Sequence, residues 1–322
     1  MRIGFIGFGE AGSTIAGGLR SAGIDRLFAY DINADAPGFG PRIQQRAAAT
    51  ATALVTTSVE LAKASDVLFS TVTSNAALDA ARQTAPFLDA HHIYADLNSV
   101  SPGRKQEIAA VIAGAGAAFV EAAVMAPVAP YGHRVPMLLG GPAAGRFADA
   151  MTPLGMRLDV LAAGTVGSAS AVKMCRSILV KGLESLMCEC VLGASRFEAD
   201  DYVFASMNES FPGLDWKKLA DYMIGRVVVH GERRARELEE VAETLRAIGI
   251  EPFMAEAASR RQDSMAKLGV ASRFGPEGPR TYRDLLEALG VNGAAAVSPS
   301  SPASGSSTST APSPSARTAP RR

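Results

Sequence analysis

Residues 4–19, GFIGFGEAGSTIAGGL, constrain this chain more than any other stretch. The apolar run RIGFIGF reads as a buried strand. Gly7-Phe8-Gly9-Glu10-Ala11-Gly12 follows it directly in the spacing G-x-G-x-x-G, ahead of a segment of helical composition. Gly7 permits a tight turn, Gly9 lets the backbone approach a pyrophosphate, and Gly12 lets helix and strand pack closely. The start of the helix then offers free N–H groups and the positive end of its dipole to phosphates. A second strand, RLFAY, ends in Asp31, 19 residues after Gly12, where a carboxylate would accept hydrogen bonds from an adenosine ribose. The reading is a dinucleotide cradle. Asp31 would repel a 2′-phosphate and no arginine follows it in Ile32-Asn33-Ala34, which favours NAD. NADP stays possible, because Arg26, Arg42 or Arg46 could approach from elsewhere.

Such a cradle needs a sheet behind it. Short apolar stretches (RLFAY, DVLFSTV, HHIYADL, AAFVEAAV) alternate with segments of helical length near 58–64, 75–85 and 102–113, which predicts a doubly wound α/β domain with a parallel sheet over residues 1–163. PMLLGG and RLDVLA extend that sheet. Thr73 and Ser74, past the strand DVLFSTV, join the expected cofactor contacts. Residues 164–290 read as all-α: one helix of more than 20 residues from about Ser168, then helices near 200–207, 215–226, 230–248, 252–268 and 281–289. From 291 to 322 the chain is Ser, Pro, Ala, Thr and Gly with no acidic residue, a composition that predicts a disordered tail.

The 32 basic and 32 acidic residues cancel, so no overall field recruits nucleic acid or an anionic membrane. Glu10 and the glycines interrupt any signal-like run at the start, and Glu121 and the glycines interrupt the apolar stretch from Ala109, which argues against a spanning helix. Three cysteines without paired spacing suit a reducing cytoplasm, and four histidines give no ligand pattern for a metal.

Three further stretches carry chemistry. DLNSVSP, Asp96–Pro102, presents Asn98 and Ser99 at the end of a strand; the alternative is a strand end with a capping serine before a helix at Pro102. GSASAVKMCRS, Gly167–Ser177, places Lys173 six residues after a glycine on a mostly apolar helix, with Ser177 one turn on and Arg176 beside it. HGERRARELEE sets His230 and Arg234 on an apolar stripe, where they make structural hydrogen bonds at a helix start or contact substrate or a second subunit.

With the glycine loop, these stretches resemble the β-hydroxyacid dehydrogenases, the family containing 3-hydroxyisobutyrate and 6-phosphogluconate dehydrogenases. Within it the chain looks most like the branch with a short, distinct C-terminal domain of uncharacterised function. The likeness spans nearly all of residues 1–270. It implies a Rossmann-type domain followed by an all-α domain, and hydride transfer between NAD(P) and a 3-hydroxy acid or related small polar alcohol. Lys173 would be general acid/base, with Asn98, Ser99, Arg176, Ser177, His230 and Arg234 near substrate. A free lysine, pKa about 10.4, is a poor base at neutral pH, so burial and Arg176 are expected to lower it. An imine reductase shares the architecture but generally lacks the lysine, and a non-catalytic NAD sensor would not need it. The chain departs from the family twice: EAAVMAP (Glu121–Pro127) stands where the family reads D-A-P-V-S-G-G, and Ser177 stands where it has Asn. Pro127 has no N–H for a substrate carboxylate. The helices cannot all bury an apolar face within so small a domain, which predicts a homodimer.

Overall fold

A computed structural model describes residues 1–162 and 164–291. Eight strands form one sheet in the order β3-β2-β1-β4-β5-β6-β7-β8. They are β1 (Ile3–Ile6), β2 (Leu27–Tyr30), β3 (Ala53–Leu54), β4 (Val67–Ser70), β5 (Ile93–Asp96), β6 (Ala118–Val124), β7 (Met137–Gly140) and β8 (Leu158–Val160). The helices between them are α1 (Glu10–Ser21), α2 (Gly40–Ala49), α3 (Ser58–Ala64), α4 (Ala77–Thr84), α5 (Pro102–Gly114) and α6 (Ala144–Met151). Every residue of β1, β4 and β5 is buried, as befits parallel strands covered on both faces. Side-chain alternation sends Ile3 and Phe5 to one core with Ile15, Phe69 and Phe147, and Ile6 to the other with Leu61, Leu68 and Ile108.

The expectation of a wholly parallel sheet needs one correction. β7 runs antiparallel to β6, pairing Val124 with Met137 and Glu121 with Gly140. The chain between them crosses no helix longer than one turn, and a short return can only reverse direction.

The helical part comprises α7 (Ser168–Ala194), α8 (Asp200–Ser210), α9 (Trp216–Ala247), α10 (Phe253–Lys267) and α11 (Tyr282–Ala288). The two helices expected at 215–226 and 230–248 are a single 32-residue helix, so His230 and Arg234 lie mid-helix and not at a start. Val227 and Val228 are buried against the domain core. Gly231 serves close approach: a Cβ there would meet the Gln262 carbonyl of α10 at 2.8 Å. Tertiary packing thus overrides the low helix propensity of Val and Gly. α7 and α9 are antiparallel, with Glu184 opposite Arg234, Lys181 opposite Glu237 and Met174 opposite Thr244.

Val291 is buried in the core around Cys188, Ile224 and Leu285. The remainder of the expected tail lies outside the described residues. Among the described residues no helix is long and apolar enough to cross a membrane.

Candidate active site

The strand order places the ends of β2, β1, β4, β5 and β6 side by side, where the connections reverse direction along the sheet. Crevices at such points receive ligands in open α/β sheets. Asp31, the glycine loop, Thr73, Asn98 and Met125 therefore share one edge.

The glycines differ in their reasons for being there. Gly7 has φ +79°, and a Cβ would meet Val72 Cγ1 at 2.7 Å. A Cβ at Gly12 would meet Thr71 Oγ1 at 2.6 Å and the Gly7 carbonyl at 2.8 Å. A Cβ at Gly9 would meet nothing within 4 Å. Gly7 and Gly12 are needed by the protein itself, whereas Gly9 keeps empty space at the N-terminus of α1, which carries no side-chain cap. A pyrophosphate fits there, with the N–H groups of Glu10, Ala11 and Gly12 in the first turn. Phe8 fills the core with its ring and donates its N–H to Asp31 Oδ2 at 2.7 Å; Asp31 Oδ1 accepts from Asn33 N at 2.9 Å. The carboxylate thus braces the loop from the end of β2. Thr73 and Ser74 are both exposed, and Thr73 donates to Asn75 Oδ1.

After β5, Asn98 is buried while Ser99 is exposed. Asn98 Nδ2 donates to Ser70 Oγ (2.8 Å) and Asp96 Oδ1 (2.6 Å); its Oδ1 has no partner among the described residues. The serine that caps α5 is Ser101, which accepts from Arg104 N. The capping role therefore does not fall to Ser99.

Sequence reasoning missed what joins this edge to the helical part. Glu121 has no exposed surface, and its Oε2 and Oε1 accept from Gly167 N and Ser170 N, each at 2.7 Å. A carboxylate at a helix N-terminus satisfies orphan N–H groups and opposes the dipole. It fixes the first turn of α7 one turn before Lys173. An acidic residue in an otherwise apolar strand was the available signal.

Lys173 is partly exposed. Burial lowers its pKa to about 8, followed by the charge of Lys105, with Glu237 and Glu240 opposing. The cationic neighbour expected from sequence, Arg176, is solvent-exposed, and the cation that acts most strongly on Lys173 is Lys105. Ser177 is partly buried on the same face. A cleft of about 750 Å³ opens alongside, lined by Ser74, Ser101, Met174, Cys175, Glu240 and Thr244 among others. Burial and the charges of Glu237 and Glu243 raise the Glu240 pKa.

Two other expected substrate residues lie apart from the sheet edge. Arg234 is buried and forms a two-pronged ion pair with Glu184, which also accepts from Gln262. His230 is exposed, one turn away, and its pKa is lowered by burial and by Arg233, Arg226 and Arg234. Nor does the loop after β6 offer the usual carboxylate cradle: Met125 N donates to the Pro136 carbonyl at 2.9 Å, and Pro127 has no N–H.

Asp89, His91 and His92 also lie together. His92 Nδ1 accepts from Asp89 N, so its Nε2 carries the proton donated to the Ala62 carbonyl. That ring is fully used, one nitrogen by its own turn and the other by α3.

Residues 2–152 match the family described as the NAD binding domain of 6-phosphogluconate dehydrogenase, and residues 194–265 match a domain of unknown function (DUF1932). A conserved hypothetical protein from Sinorhizobium meliloti superposes with a TM-score of 0.78 at 37% identity, covering 90% of this chain and 95% of that one. MTH1747, a conserved protein of unknown function described as structurally similar to 3-hydroxyacid dehydrogenases, superposes with a TM-score of 0.72 at 30% identity, covering 83% and 98%. The mitochondrial 3-hydroxyisobutyrate dehydrogenase of Drosophila melanogaster is 29% identical over 218 residues, 66% of this chain and 64% of that enzyme.

Proposed function

The chain belongs to the β-hydroxyacid dehydrogenase family, in the branch whose C-terminal domain has no assigned function, and from that premise we propose a dehydrogenase in which Lys173 is the general acid/base. Family membership makes it an NAD(P)-binding oxidoreductase. Its proposed substrate is a 3-hydroxy acid or a related small polar alcohol.

The observation that carries this reading is Lys173, an amine with a pKa of about 8 on the helix that Glu121 ties to the cofactor edge. When bound, the nicotinamide supplies the hydride acceptor or donor. An alcohol that keeps its hydroxyl proton releases hydride poorly, so neutral Lys173 takes that proton in oxidation and returns it in reduction. Ser99 and Asn98 orient the substrate. The bonded Met125 N–H and Pro127 argue for a substrate whose acid group, where it has one, is held elsewhere than in the usual loop. A screen of 3-hydroxy acids and their oxo forms with NAD and NADP tests the activity. Turnover of none of them would leave a non-catalytic NAD(P) sensor.

Gly9→Ala should fill the space reserved for the pyrophosphate while the fold is unaffected, because the new methyl meets no protein atom. NAD(P) affinity should fall at least tenfold with the melting temperature nearly unchanged, as read by calorimetry. Unchanged affinity would place the phosphates elsewhere.

NAD is the proposed cofactor, with Asp31 facing the adenosine ribose. One unfavourable contact of about 1–2 kcal/mol with a 2′-phosphate corresponds to roughly five- to thirty-fold weaker NADP binding. Equal dissociation constants for the two cofactors would remove this assignment.

The proposed assembly is a homodimer built through α7. Val172, Leu179, Leu183 and Leu186 are all exposed and fall on one stripe of that helix, away from the stripe bearing Lys173. The same stripe on a second copy complements it. Light scattering at micromolar protein should give twice the chain mass, and a monomeric mass would remove the idea.

A further inference from the structure

Lys105, the fourth residue of α5, has no exposed surface, and neither cofactor binding nor proton transfer as described accounts for it. Its Nζ donates to the Asp96 carbonyl at 2.8 Å and lies 3.3 Å from Asp96 Oδ2; the Asp96 side chain is equally buried. A buried ion pair adds little stability over apolar side chains of the same volume, so its function is to be sought in what surrounds it.

Two contacts supply one. Asp96 Oδ1 accepts from both the N and the Nδ2 of Asn98, so the pair anchors the Asn98–Ser99 loop. The first turn of α5 also abuts the start of α7: a Cβ on Gly167 would touch Pro102 Cβ at 3.2 Å, and Gln106 Nε2 donates to the Val166 carbonyl at 3.3 Å. That junction brings the buried ammonium of α5 near the second turn of α7, where Lys173 lies.

We propose that Lys105 is a positioning residue for proton transfer. Its ammonium, anchored by Asp96, disfavours a second ammonium at Lys173, while the same anchor fixes the Asn98 amide. This rests on the reading of Lys173 as acid/base. The groups facing Lys173 are Lys105 from α5, Lys181 from α7, and Glu237 and Glu240 from α9. The two glutamates favour its charged form, the two lysines its neutral form, and Lys105 acts most strongly of the four.

Lys105→Met alone would strand the Asp96 carboxylate, so the test pairs Lys105→Met with Asp96→Asn. Lys105→Gln, which retains a donor for the Asp96 carbonyl, is made in parallel. Competitive acetylation across a pH series, read by mass spectrometry at Lys173, gives the titration of that amine without reference to activity. Turnover of a substrate from the screen is followed over the same range. The midpoint at Lys173 should start near 8 in the unmodified protein and rise by about half a pH unit or more in both variants. The alkaline-rising limb of oxidation should move with it. A midpoint that stays overturns the role of Lys105. A midpoint that moves while the turnover limb stays overturns instead the reading of Lys173 as the proton acceptor. Failure of both variants to fold with cofactor bound would assign Lys105 to stability and overturn the proposal.

Discussion

Lys173→Met should lower turnover by about two to four orders of magnitude, the usual contribution of a positioned acid–base group. Methionine keeps an unbranched apolar stem and deletes only the amine, so α7 and its contacts with α9 should persist. NAD(P) affinity should hardly change, because the phosphates are assigned to the loop at Gly7–Gly12 on a different element. In the unmodified enzyme the sign of the pH dependence follows from the lowered pKa. Oxidation requires the neutral amine, so its rate should rise with pH and level off above about 8. Reduction requires the ammonium, so its rate should be full below about 8 and fall above it. In the Met variant both limbs should vanish from the residual rate. Near-normal turnover in that variant would make Lys173 a packing residue.

The first half of this chain is legible because local chemistry and global fold agree. Gly7 and Gly12 mark a tight turn and a close helix–strand approach that the fold itself requires, and Gly9 marks the space kept open beside them. The strands β7 and β8 were readable from Met137-Leu138-Leu139 and Leu158-Asp159-Val160, but the reversed direction of β7 was not, since side-chain alternation is the same in either direction. The helical half is less legible where tertiary contacts override propensity. Val227–Val229 looks like a break, yet burial of Val227 and Val228 and the approach of α10 to Gly231 keep α9 continuous. Lys173 is singled out by the family resemblance, which places a lysine six residues after a glycine, and not by any local pattern of its own. Lys105, which tunes it, is not singled out: in sequence it is one more lysine in a polar first turn, and only the α5–α7 junction gives it meaning. Arg234 illustrates the converse, since its place on an apolar stripe reflects a buried pairing with Glu184 on α7.

Glu121→Gln should reduce both stability and turnover while leaving the dinucleotide loop intact. The carboxylate presents one oxygen to Gly167 N and the other to Ser170 N, and both bonds are short and fully buried. An amide has one acceptor oxygen, so one of the two N–H groups would face an NH₂ donor in place of an acceptor. A hydrogen bond to a charged group contributes about 1.5–3 kcal/mol, and a stranded buried donor costs a similar amount. The melting temperature should therefore fall by roughly 4–12 °C. The crowding around the carboxylate limits relaxation: a Cβ on Gly140 would meet Glu121 Oε2 at 2.8 Å, so the strand beside it leaves no room for the amide to turn away. The start of α7 must then shift, and Lys173, three residues beyond Ser170, moves with it. A displacement on the order of 1 Å costs up to about a hundredfold in rate. The fall should appear in kcat at temperatures well below the new melting point, with the NAD(P) dissociation constant unchanged. A variant that lost stability but kept kcat would show that Glu121 only holds the two parts of the chain together, and that the position of Lys173 is set instead by the ion pairs between α7 and α9.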